Sequence, residues 1–189
     1  MLRLPGILCL SLLAFGASVS AQDGRELTEE ARKQYAAGLK EASALVKARE
    51  FAEAQAKLDA LLVQRPREPQ ARFLLGVADT EQGKTDAAIA VFRGLIEDYP
   101  ELPEPYNNLA VLYAQRGEYE SARIALETAT RTAPDWAVAR ENLGDVHVRL
   151  AAAQYERAAK LDRDNRTAPA KLALARELLA SGAVAKPKP

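Results

Sequence analysis

Residues 103–136 read PEPYNNLAVLYAQRGEYESARIALETATRTAPDW, and this stretch decides the fold. Shifted back by 34 residues, it falls on a second copy of the same pattern. Leu109-Ala110 meets Leu75-Gly76, Gly117 meets Gly83, and Tyr119 meets Thr85. Ala122 meets Ala88, Leu126 meets Phe92, Ala129 meets Leu95, and Pro134 meets Pro100. One period earlier, Ala42, Arg49, Phe51, Ala54, Leu58, Leu61 and Pro66 occupy these slots. One period later, Leu143-Gly144 opens a fourth copy. A fixed period of this length implies stacked helical hairpins rather than a globule around one central core. Such stacks present an extended surface that usually binds other proteins.

The spacing within each copy agrees. Ala54, Leu58, Leu61 and Leu62 share one helical face, as do Ala88, Phe92, Leu95 and Ile96. Turns are expected at Ala48-Arg49-Glu50, Gly83-Lys84 and Gly117-Glu118. Pro66, Pro69, Pro100, Pro103, Pro105 and Pro134 break the chain between hairpins, since proline cannot continue a helix interior. Small residues at Gly76, Ala110 and Gly144 in first helices, and at Ala54, Ala88 and Ala122 in second helices, predict close helix approach.

These residues resemble the tetratricopeptide repeat family. The third copy is the cleanest: Tyr106, Leu109-Ala110, Tyr113, Gly117-Glu118-Tyr119, Ala122, Leu126, Ala129 and Pro134. The resemblance covers residues 35–165. It implies an all-α, right-handed solenoid of antiparallel helix pairs with a C-terminal capping helix. The expected organisation is a signal peptide over 1–21, a polar lead-in over 22–34, and repeats over 35–68, 69–102 and 103–136. A shortened fourth repeat follows over 137–165, then a capping helix over 166–182 and a disordered tail over 183–189. In the fourth copy the glycine turn is missing, and Tyr155, Ala158 and Leu161 arrive about five residues early. With no Gly or Pro between Gly144 and Leu161, one long helix over 137–161 is expected. In the capping helix, Leu172, Ala175, Leu178 and Leu179 form the apolar face.

The chain has 189 residues, with 26 basic and 26 acidic side chains. That balance argues against nucleic acid or an anionic membrane as a main partner. At the N-terminus, Arg3 precedes an apolar run over residues 7–17, and Val19-Ser20-Ala21 supplies a small-residue exit. This is a secretory signal pattern, which predicts a mature chain beginning at Gln22. Cys9, the chain's one cysteine, lies inside it. Abundant Ala and Arg suggest a bacterial source, so the expected location is the periplasm. No membrane insertion is expected after signal removal.

Several motifs suggest chemistry and are outweighed. Residues 78–85, ADTEQGKT, satisfy a loose phosphate-loop pattern, but no strand precedes them and Gly83 is a hairpin turn. Asp162-Arg163-Asp164-Asn165 resembles the start of a calcium loop, but Thr167 and Ala173 stand where Gly and Glu are required. Asn165-Arg166-Thr167 is a glycosylation sequon, relevant only in a eukaryotic host. His147, the chain's one histidine, is read as a partly buried structural residue, and Trp136 as packed at a repeat junction. No nucleophile, metal cluster or cofactor motif accompanies them, so no enzyme, metal or cofactor is expected.

The functional expectation comes from the resemblance. In this family the first helices line a concave groove, and the residue before the Leu-Gly/Ala pair is often a peptide-binding Asn. Here that slot holds Asn108 and Asn142, with Lys40 and Leu74 in the earlier copies. Phe73, Val77, Asn107, Val111, Gln115, Asp145 and Arg149 are the neighbouring groove candidates. An Asn amide can both donate to and accept from an extended peptide backbone. The other reading of Asn108 and Asn142 is that they satisfy nearby backbone or face water. The paired Lys/Asn clamp for a C-terminal carboxylate is not present as a set. The expected protein is a monomeric adaptor for a protein or extended peptide, or else a structural scaffold that docks through other faces.

Overall fold

The computed structural model describes residues 28–181. Its eight α-helices are α1 (Glu29–Ala48), α2 (Phe51–Gln64), α3 (Pro69–Glu81), α4 (Thr85–Asp98), α5 (Pro103–Gln115), α6 (Tyr119–Thr132), α7 (Ala137–Leu161) and α8 (Thr167–Ser181). No strand occurs among the described residues, so the all-α expectation holds. The signal peptide, Cys9 and the tail over 183–189 lie outside the described residues. Six residues of the polar lead-in, 29–34, are already the first turns of α1. Thr28 caps that helix by accepting from the Ala31 amide at 3.2 Å, and Glu29 and Glu30 complement the positive end of its dipole.

The period reappears in the backbone. Arg49, Gly83 and Gly117 adopt φ of 63°, 73° and 77°. The next amide in each copy then closes back five residues: Glu50 donates to the Leu45 carbonyl, Lys84 to Asp79 and Glu118 to Tyr113, each at 2.9 Å. This is the six-to-one bond that ends a helix at a left-handed residue, and glycine is the cheapest occupant. Arg49 holds the same conformation with a Cβ, at an expected cost of about 1 kcal/mol. Its guanidinium lies 5.3 Å from the Phe51 ring centroid and 2.7 Å from the Glu81 carboxylate, and both contacts offset that cost. Pro69 and Pro103 open α3 and α5, where the missing amide hydrogen has no helical partner to lose.

The described chain divides within α4 into two compact units, one ending at Val91 and one beginning at Phe92. In the first, α1 packs on α2 and both pack on α3. Tyr35, Leu39, Ala42, Leu58, Leu61, Ala71 and Leu74 form its core. Gly38 allows close packing, because a Cβ built there would meet Leu61 Cδ2 at 3.0 Å. Tyr35 brings a hydroxyl into this core without a hydrogen-bond partner among the described residues, and burial pushes its pKa up to about 12.

In the second unit, α5 packs on α6, α6 on α7, and α7 on α8. Phe92, Leu95, Leu109, Leu112, Leu126, Ala129 and Ala139 are buried there. Ala122 is fully buried, as are Ala54 and Ala88 in the first unit, so the small second-helix slots are tight as expected. Gly144 corrects the reading of the first-helix slots. A Cβ built on it meets nothing within 4 Å, so no close contact requires glycine at this position.

The long helix of the fourth copy is observed, with α7 unbroken over 25 residues. Helix α8 covers it, with Ala168 and Ala175 buried and Leu172 and Leu179 half-buried. Lys171 lies 5.7 Å from the Tyr155 ring centroid, and Arg176 faces Glu156 at 3.9 Å. Leu178 departs from the expected apolar face: it is 59% exposed, beside Leu174 at 65%. The docking face of α8 is therefore narrower than the periodicity suggested.

Candidate functional site

The first helices of the second unit, α5 and α7, carry most of the groove candidates. Their neighbourhood is fixed by one side-chain bond: Asn142 Nδ2 donates to Asn107 Oδ1 at 2.9 Å, and both residues are buried. The bond spans one repeat and joins α5 to α7. Asn108 donates instead to the Glu104 carbonyl of its own helix at 2.9 Å, and it is also buried. One N–H of each amide that the sequence places toward a ligand is thus engaged within the chain. In the earlier copies the same slot holds exposed Lys40 and fully buried Leu74, so the slot has no common orientation.

Beside the Asn pair lies a shallow depression lined by Ala110, Val111, Ala114, Leu126, Asn142, Asp145, Val146 and Arg149. It encloses about 250 Å³, including the solvent above it. Small-molecule pockets usually hold roughly 300–1,000 Å³ of enclosed space, whereas this volume includes open solvent, so the surface is too shallow to enclose a free metabolite. Its apolar wall arises because Val111 and Ala114 stand three residues apart on α5, facing Val146 of α7.

Two charged residues rim it, four residues apart on α7, which places them one turn apart. Burial holds the Asp145 carboxyl above the usual carboxylate range, Glu141 adds to the rise, and Arg149 opposes it. The Arg149 guanidinium sits 5.6 Å from the Tyr119 ring centroid, while its Nε is buried and has no hydrogen-bond partner among the described residues. A buried unpaired donor is costly, and as it lies here this covered N–H is closed to an incoming ligand.

The structure thus brings together Val111, Asn142, Asp145 and Arg149, with Asn107 behind them. Gln115 is exposed at the end of α5 and does not line the depression. Phe73, half-buried, and Val77, buried, belong to α3 in the first unit. Sequence reading missed Ala110, Ala114, Leu126 and Val146 as walls and Tyr119 as the ring beneath Arg149. Helical spacing assigns such residues to packing and carries no sign of the partial opening above them.

The other motifs resolve plainly. His147 is exposed on α7, which corrects its expected burial: in an unbroken helix that position turns away from the packed faces. Trp136 is half-buried at the start of α7. In the phosphate-loop look-alike, Gly83 forms the hairpin turn, and Lys84 lies 3.7 Å from the buried Asp79 carboxylate. Burial raises the Asp79 pKa, and Lys84 partly opposes the rise. In the calcium-loop look-alike, Asp162 accepts from the Asp164 amide at 3.0 Å, and Asn165 accepts from the Thr167 and Ala168 amides at 3.1 and 2.9 Å. Those residues shape the loop and cap α8. Among the described residues, no His/Cys/Asp/Glu group could hold a metal ion, and no helix is long and apolar enough to cross a membrane.

Comparison with known proteins supplies the family context. Family descriptions of the tetratricopeptide repeat match residues 39–103 and, overlapping them, 79–141. Together they span residues 39–141, more than half of the 189-residue chain. Tetratricopeptide repeat protein 8 of Homo sapiens is 36% identical over 94 residues, covering 46% of this chain and 17% of that protein. The chain therefore spans about a sixth of that relative's length. Among solved structures, the Yersinia enterocolitica type III secretion chaperone SycD, in complex with a peptide of the translocator YopD, aligns with a TM-score of 0.56. It is 19% identical, and the match covers 70% of this chain and 99% of SycD. Pseudomonas aeruginosa pilF aligns with a TM-score of 0.59 at 19% identity, over 80% of this chain and 72% of pilF. Identities this low are evidence of a shared fold.

Proposed function

The chain belongs to the tetratricopeptide repeat family, and we propose that it is a non-enzymatic adaptor, exported to the periplasm of a bacterium, that docks an extended segment of a protein partner. The observation that carries this reading is the depression between α5 and α7, with apolar walls and a shallow open form, rimmed by Asp145 and Arg149. An extended peptide supplies alternating side chains for the walls. The family supports the same reading, and so does the peptide-bound chaperone that shares the fold. The signal-like N-terminus supports export. Balanced charge argues against nucleic acid as the partner.

A second reading, a scaffold that docks by another face, is favoured by Leu174 and Leu178 on the outer side of α8. One experiment separates the two. Benzoylphenylalanine is placed at exposed Gln115 in one variant and at Leu174 in another, and both are irradiated in cells producing the protein. The adaptor reading expects a covalent partner at position 115 and none at 174; the reverse pattern moves docking to α8. Intact mass of the recovered chain tests export, since a chain beginning at Gln22 is expected and one retaining Arg3 and Cys9 would overturn it.

A further inference from the structure

We draw no further inference here: the strongest candidate, the outer apolar face of α8 on which Leu174 and Leu178 stand exposed, carries nothing because nothing in the structure shows what covers it.

Discussion

The third and fourth copies begin alike and end differently. Both open with a proline- or tryptophan-bounded loop, an Asn in the same slot and a Leu followed by a small residue. After Gln115 the third copy turns at Gly117 and α6 folds back onto α5. The fourth copy lacks about five residues at that place; counted straight on, the turn slot falls on Ala151, and α7 continues through it. The residues that would form the second helix keep their pattern, yet their surroundings change. Leu126 and Ala129 are fully buried, whereas their shifted equivalents Tyr155 and Ala158 are half-buried beside α8. A short deletion thus fuses two helices, and a separate helix supplies the cover that the missing hairpin would have given. An amphipathic pattern specifies which face needs a partner but leaves the partner open.

The largest expected effect tests tightness on the two sides. Ala122→Leu inserts a branched side chain where the native Ala has no exposure, and it should cost about 1–3 kcal/mol. Ala153→Leu, on an exposed position of α7, should leave Tm nearly unchanged. For a chain of this size, each kcal/mol moves Tm by roughly 2–4 °C, so thermal melts resolve the pair. Equal melting temperatures would break the comparison.

A smaller effect tests the turn. Gly117→Ala forces a Cβ into φ of 77° and should cost about 1–2 kcal/mol. Ala151→Gly should also destabilise, by about 1 kcal/mol, for the opposite reason: it loosens a continuous helix. Amide exchange sharpens the result. Protection near residue 151 should persist in Ala151→Gly, because the missing residues and not the side chain alone keep α7 unbroken. A new unprotected turn there would make the slot residue decisive.

The smallest effect is a gain. Gly144→Ala fills open space in the interior of α7 and should stabilise by up to about 1 kcal/mol through helix propensity. Gly38→Ala is the control, since its Cβ would press on Leu61 at 3.0 Å and the propensity gain should be lost. Denaturant midpoints measured at matched m-values would show whether the two glycines behave oppositely.

Much of the fold could be read because local rules agree at each slot. The turns at Gly83 and Gly117 need a left-handed residue, prolines exclude helix interiors, and the period repeats both signals. The site was less legible. Asn108 and Asn142 occupy a slot associated with peptide binding in similar proteins, but here their amides bind Glu104 and Asn107. His147 and Leu178 were assigned inward by spacing, and both are exposed, since spacing fixes a direction around the helix and not how wide its covered face is.

Sequence by itself determined the helices, their turns, the repeat family and the unbroken α7, because each follows from backbone conformations that particular residues favour or forbid. Tertiary structure decided the rest. It engaged two Asn amides internally, left the Arg149 Nε without a partner among the described residues, raised the Asp145 carboxyl and opened a depression beside them. Those properties depend on distances between side chains on different helices and on how fully neighbours exclude water, and neither quantity is written in the spacing of residues along one helix.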